Sequence, residues 1–241
     1  PLNYNGFRVK SGNHDVMNGL RAQPYLSIKS SEQVITATVS KFWQNFPKSL
    51  AIKDGAVSLG LFPYKDNEVY ELQGGEKKTH KMQFDFDSDR ESLIQRSCLV
   101  TPQVPPFWYK ECDVLPYFTL EPSSSTIDEI IQEGLSGEES FFAKREEIDE
   151  YGWRNFGDLF ADHESLYKTD NTVNISHYNN QYDPINGFIR QFILSGKPQW
   201  FTLMDDLAQH VKDIDIYHTD EDRAEYNGGL FWHTDHYVDA A

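Results

Sequence analysis

The chain has few cysteines, few cations and no long apolar run, and each shortage excludes something. Only two cysteines, Cys98 and Cys112, occur in 241 residues. They flank a stretch rich in proline and aromatics and show no metal or redox spacing. They read as two free thiols, although a secreted protein could pair them. Lys and Arg number 22 against 38 Asp and Glu, for a formal net charge of −16. Binding a phosphate backbone needs a basic face, so nucleic acid is excluded as a partner. An anionic substrate would need a locally basic site or a cation. No apolar run reaches the length of a membrane span, so no membrane partner is expected, and the start carries no signal-peptide pattern. An initiator Met is lacking too. The chain opens on Pro1-Leu2-Asn3-Tyr4 and stops at Ala241 inside an uncapped helical pattern, which reads as an internal piece of a longer protein. Extracellular and cytoplasmic location both stay open.

What is present is ample apolar and aromatic material for a packed core, arranged with two different periods. Up to about Leu120 the pattern is β: 6–10, 25–29, 34–39, 56–62, 69–72 and the strictly alternating 81–87 are short and rich in branched or aromatic residues. Asp54-Gly55 and Gly74-Gly75 mark turns between them. Residues 1–120 are therefore expected to form an antiparallel β-sandwich domain. Residues 121–150 turn to Ser, Glu, Asp and Lys and read as a charged, solvated helical linker. In it, Thr126-x-x-Glu129 predicts a capping box, Gly134 a stop, and 138–150 a second helix.

From 151 to 241 the pattern is helical. Asp183 is placed to cap and Pro184 to begin a helix whose Ile185, Phe188, Ile189, Phe192 and Ile193 share one stripe. Gly196 stops it, and Pro198 starts another with Trp200, Leu203, Met204, Leu207 and Val211 on its stripe. His210, at the edge of that stripe, reads as structural. A long loop, 213–229, and the start of a third helix follow. Helical hairpins joined by long polar loops are the building plan of an α/α-toroid, so the chain reads as a multidomain β-then-α protein ending in a truncated toroid.

Candidate chemistry concentrates in a few polar segments. His177-Tyr178-Asn179-Asn180-Gln181-Tyr182-Asp183 places more hydrogen-bonding groups before a helix than capping requires. A His–Tyr pair can exchange protons, and amides can hold a carboxylate or sugar hydroxyls. Asn227, Trp232, His233, His236 and Tyr237 form a second such segment. The two histidines share a helix face, but their spacing alone makes a weak metal motif, and none is assigned. Arg154 can grip a carboxylate bidentately, while Trp153 and Phe156 can stack on a sugar or anchor a domain. Glu76-Lys77-Lys78-Thr79-His80 is a basic turn in an acidic chain, from which Lys77 and His80 could reach a cleft.

These motifs carry a resemblance. Leu72–His80, Ser176–Asp183, and Asp213–Thr219 leading to Tyr226–Thr234 resemble segments of the YetA-like family, which includes exo-acting rhamnogalacturonan lyases. The resemblance implies a central β-sandwich followed by the first part of a C-terminal α/α-toroid. The full-length protein would add an N-terminal domain and the remaining hairpins as partners of this piece, which alone would be inactive if those parts complete the site. It implies β-elimination on an acidic polysaccharide or oligosaccharide of rhamnogalacturonan type. Side-chain chemistry then nominates His177 or Tyr178 for proton transfer and Asn179, Asn180 and Arg154 around the uronate carboxylate. His233, His236 and Tyr237 would form the opposite wall, and Lys77 and His80 would close it. Tyr182, Asn227 and Trp232 are further substrate contacts. No cofactor is required, with calcium left open. Two alternatives stand: a glycoside hydrolase using two of Asp158, Glu164, Asp183 and Asp235, or a non-catalytic glycan-binding module.

Overall fold

The computed structural model describes residues 6–31, 33–63, 69–86, 93–94, 101–121, 124–160 and 182–230. Antiparallel strands in three small sheets come first and a run of helices follows. β1 (Phe7–Ser11) and β2 (His14–Gly19) form one hairpin, with a register shift between Val9 and Lys10. β3 (Leu26–Lys29), β4 (Val34–Val39) and, later in the chain, β7 (Met82–Asp85) form a sheet with β4 at its centre. β5 (Ser49–Lys53) and β6 (Ala56–Gly60) form the third, closed by Asp54-Gly55 with both residues at positive φ, the backbone of a tight hairpin turn.

β4 is buried over Thr36-Ala37-Thr38-Val39, so its threonines need internal partners. They have them: the Thr38 hydroxyl donates to the Pro24 carbonyl at 2.8 Å, and Thr36 shares a hydrogen bond with Ser27 at 3.0 Å. The expected strand at 69–72 does not form. Val69 and Leu72 are exposed and pair with no strand, and the Glu71 carbonyl accepts instead from Arg154.

α1 (Pro106–Glu111) precedes α2 (Ser125–Glu133) and α3 (Phe141–Glu147). Ser124, rather than Thr126, caps α2 by accepting from the Ile127 N–H, so the helix starts earlier than the capping box predicts. Gly134 is its C-cap as expected. These two helices are not merely solvated. Ile131, Leu135, Phe141 and Phe142 pack on the core of the helices that follow, and Arg145 is buried against Asp206 at 2.9 Å. Those helices, α4 (Pro184–Ser195) and α5 (Pro198–His210), are the hairpin that the stripes predict. Asp183 caps α4 by accepting from the Asn186 N–H, and Gly196 closes it in left-handed backbone. The core holds Phe188, Phe192, Ile193, Trp200, Leu203, Leu207 and Val211, with Phe188 stacked on Trp200. α5 ends in a rare wide turn, Val211–Asp215, where the Ile216 N–H reaches back five residues to the Val211 carbonyl. No helix among the described residues is long and apolar enough to cross a membrane.

Candidate functional site

The described β and helical parts meet along a seam built by the Gly74–His80 turn and the end of α5. Gly75 has φ +88, and a Cβ there would overlap the Tyr217 ring, so glycine lets the backbones approach with that ring in place. The His218 N–H donates to the Gly75 carbonyl at 2.8 Å, and the Lys77 N–H to the Asp213 carbonyl at 2.8 Å. The fully buried Asp213 carboxylate accepts from the Thr79 N–H and hydroxyl, each at 2.8 Å, and from the Gln209 amide at 2.7 Å. Three donors offset the desolvation of one carboxylate. On the far side, Tyr217 and Gly228–Gly229 exchange backbone hydrogen bonds, and Ile216 bridges to Leu230. The two-residue link between α4 and α5 folds them back on each other, so Tyr182-Asp183 enters α4 at this same end.

Charged groups are paired across the seam. Lys41, after β4, bridges Asp205 at 3.2 Å and Asp206, whose other oxygen takes Arg145. Burial alone would lower Lys41, but Asp206 and Asp205 outweigh it and hold the ammonium charged. Arg154 pairs with Glu76 at 3.3 Å and donates to the Glu71 carbonyl, leaving it 3% exposed. His210 lies between Asp158 at 3.4 Å and Asp215 at 3.3 Å, all three buried. Burial disfavours its imidazolium, yet the two carboxylates prevail and push it up to about 10.

Beside these pairs lies a cavity of about 50 Å³ lined by Lys41, Asn45, Lys78, His80, Phe156 and Gln209, among others. Burial, opposed by Asp213 and reinforced by Lys41, lowers Lys78 to about 8. Lys48 falls to about 7 through burial and the nearby Lys78, although its ammonium donates to the carbonyls of Asn45, Pro47 and Leu61. Burial, then Lys48 and Lys78, lower His80 to about 4 against the pull of Asp213, so it is neutral at pH 7. Its Nε2 is buried with no hydrogen-bond partner among the described residues.

Of the residues nominated from sequence, the structure brings Lys77, His80, Tyr182 and Asn227 to this end of the hairpin. Lys77 is exposed, and Tyr182 is 76% exposed. Asn227 is occupied locally: its side chain accepts from the Asp222 N–H and donates to the Asp222 carbonyl, closing a turn. Arg154 is interior, an ion-pair partner rather than an open carboxylate clamp, because Glu76 and Glu71 already hold it. Trp153 and Phe156 are buried anchors, with the Gly152 and Trp153 N–H groups bonded to the Gln44 and Phe46 carbonyls at 2.8 Å. His177, Tyr178, Asn179, Asn180, Trp232, His233, His236 and Tyr237 lie outside the described residues. Of a hydrolase's carboxylates, Asp158 is committed to His210 and Asp183 to capping, while Glu164 and Asp235 lie outside the described residues. Lys78 belongs to the basic turn singled out from sequence, though only Lys77 and His80 were given a role there, and Lys48 was not singled out. Among the described residues, no group of three or more His, Cys, Asp or Glu is placed to hold a metal ion. Compared with protein-family models and with curated proteins, the chain matches none.

Proposed function

We propose that the chain is part of a polysaccharide lyase that cleaves a uronate-containing glycan of rhamnogalacturonan type by β-elimination. On this reading the strands belong to a β-sandwich and α4 and α5 to the first hairpin of an α/α-toroid. One observation carries the proposal. Residues 74–80, 213–218 and 226–230, each within a motif of the lyase resemblance, are hydrogen-bonded together.

β-Elimination needs a neutralised uronate carboxylate, a base for the C5 proton and an acid for the departing O4. Positioned proton transfer contributes about 10²–10⁴-fold, so charge stabilisation of the enolate-like intermediate supplies much of the remainder. We assign proton transfer to His177 or Tyr178, carboxylate contacts to Asn179 and Asn180, and the opposite wall to His233, His236 and Tyr237, with Trp232 as a sugar contact. Lys77, exposed at the seam, takes the cationic role first given to Arg154, which is already paired. Tyr182 is assigned as a further sugar contact.

The test is ultraviolet absorbance of the full-length protein incubated with rhamnogalacturonan oligosaccharides. A rise from an unsaturated uronate is expected, and Tyr178→Phe should abolish it with little change in binding. New reducing ends without that absorbance would replace the lyase with a hydrolase. Binding with no product at all would leave a glycan-binding module.

A further inference from the structure

We propose that Lys78 and His80 form a binding site for a small monovalent anion in the cavity beneath the seam. The proposal stands apart from the lyase reading and rests on two groups whose state the rest of the fold does not explain. Among the described residues, no hydrogen bond or ion pair holds the Lys78 ammonium, and the residue is partly buried at the cavity wall. The buried Nε2 of His80 also has no partner among them, and both side chains line the same cavity. A polar atom buried without a partner, as His80 Nε2 is, is rare in native proteins and calls for a ligand, a water or a strain account.

The neighbouring charges decide between a water and an anion. Lys41, Lys48, Lys78, Asp205, Asp206 and Asp213 surround the cavity or act on its lining groups. Asp205 and Asp206 are taken by Lys41, and Asp206 also by Arg145. Asp213 already accepts three hydrogen bonds from Thr79 and Gln209. That leaves the charge of Lys78 without a counter-charge in contact, with Lys48 adding to it. A water could satisfy donors but would leave this charge uncompensated, whereas an anion satisfies both needs. It would accept from Lys78 Nζ and from the neutral His80 ring in the tautomer that carries its hydrogen on Nε2, while relieving the repulsion between Lys78 and Lys48.

Size sets the class of ligand. With about 50 Å³ of space, the cavity admits a halide or a carboxylate group. The anion could arrive free, as chloride or formate, or as the carboxylate of a larger ligand whose remainder stays outside.

The experiment is ³⁵Cl NMR line broadening of chloride by the full-length protein, with formate and galacturonate as competitors. Excess broadening is expected, and Lys78→Met should weaken chloride binding at least about tenfold, the scale of one lost charge-assisted hydrogen bond. Lys53→Met, at an exposed strand end, should leave it unchanged. If Lys78→Met does not fold, His80→Phe is read in its place, with a loss again expected. Displacement by formate alone supports a free small anion, and displacement by galacturonate as well supports a carboxylate carried on a sugar. Broadening that survives in whichever folded variant is read, equal to that of the parent, would overturn the site. Because no turnover is measured, absence of lyase activity would leave this result intact.

Discussion

His210 is the group through which pH should act most directly on the fold. Its imidazole is 1% exposed and lies between Asp158 and Asp215, which raise it to about 10 from the ordinary 6.5. A raised value means that the folded protein holds this proton more tightly than the unfolded chain. The stabilisation is then fully present below about pH 6.5, declines as pH rises, and is lost above about pH 10. Over that window the folded state carries up to one extra proton, a slope of about −1.4 kcal/mol per pH unit and a ceiling of about 5 kcal/mol. Lys48 and Lys78 act oppositely, because their lowered values favour the folded state as pH rises above about 7 and 8. The raw curve of the parent is therefore a blend, and the quantity to read is its difference from His210→Gln. Urea midpoints from pH 6 to pH 10 should show the two proteins converging as pH rises, with the variant much weaker at the acid end. A constant offset across the range would mean that His210 is neutral in the fold, and would refute the triad as an ion cluster.

Three further substitutions probe the packing around the seam. Asp206→Ala removes one of the two carboxylates that hold Lys41 and the carboxylate that holds Arg145, and should cost about 3–5 kcal/mol, the usual loss on breaking a buried pair; a urea midpoint within experimental error of the parent would show that Arg145 finds another partner. Gly157 has φ +107, and a Cβ there would overlap the Asp206 carbonyl, so Gly157→Ala should lower stability by about 1–3 kcal/mol from backbone conformation alone, plus the overlap. Gly75→Ala should cost less, since the obstacle there is the Tyr217 ring, which can swing aside, and equal thermal shifts for the two variants would contradict that distinction.

The hairpin was legible because its determinants are local. An apolar stripe, Asp183-Pro184 at one end and Gly196 at the other are all contained within a few turns of chain, and the structure uses each as expected. β2 and β5 were missed for the complementary reason: His14–Gly19 and Ser49–Lys53 are mostly exposed, so no buried face imposes alternation on them. At 69–72 the alternation was present, but no neighbouring strand takes up its hydrogen bonds.

Charge was the least legible property, because the role of a charge depends on a partner that only the fold supplies. Arg145 sits in a run of Lys, Arg and Glu that reads as a solvated helix, yet it meets Asp206, 61 residues away, and Lys41 reaches the same carboxylate across 165. Arg154 looked like a free carboxylate clamp until Glu76, 78 residues earlier, occupied it. The same pairing explains why an acidic protein can keep a basic pocket. The carboxylates around the seam are spent on Lys41, Arg145, Arg154, His210 and the Thr79–Gln209 donors, so the acidity felt in the cavity comes from groups already engaged, Asp213 among them. Electrostatic character there is set by Lys78, reinforced by Lys48, neither of which has a carboxylate in contact among the described residues. Anion affinity should accordingly respond to Lys78 and to the seam pairs rather than to changes of net charge elsewhere on the surface, where solvent screens them.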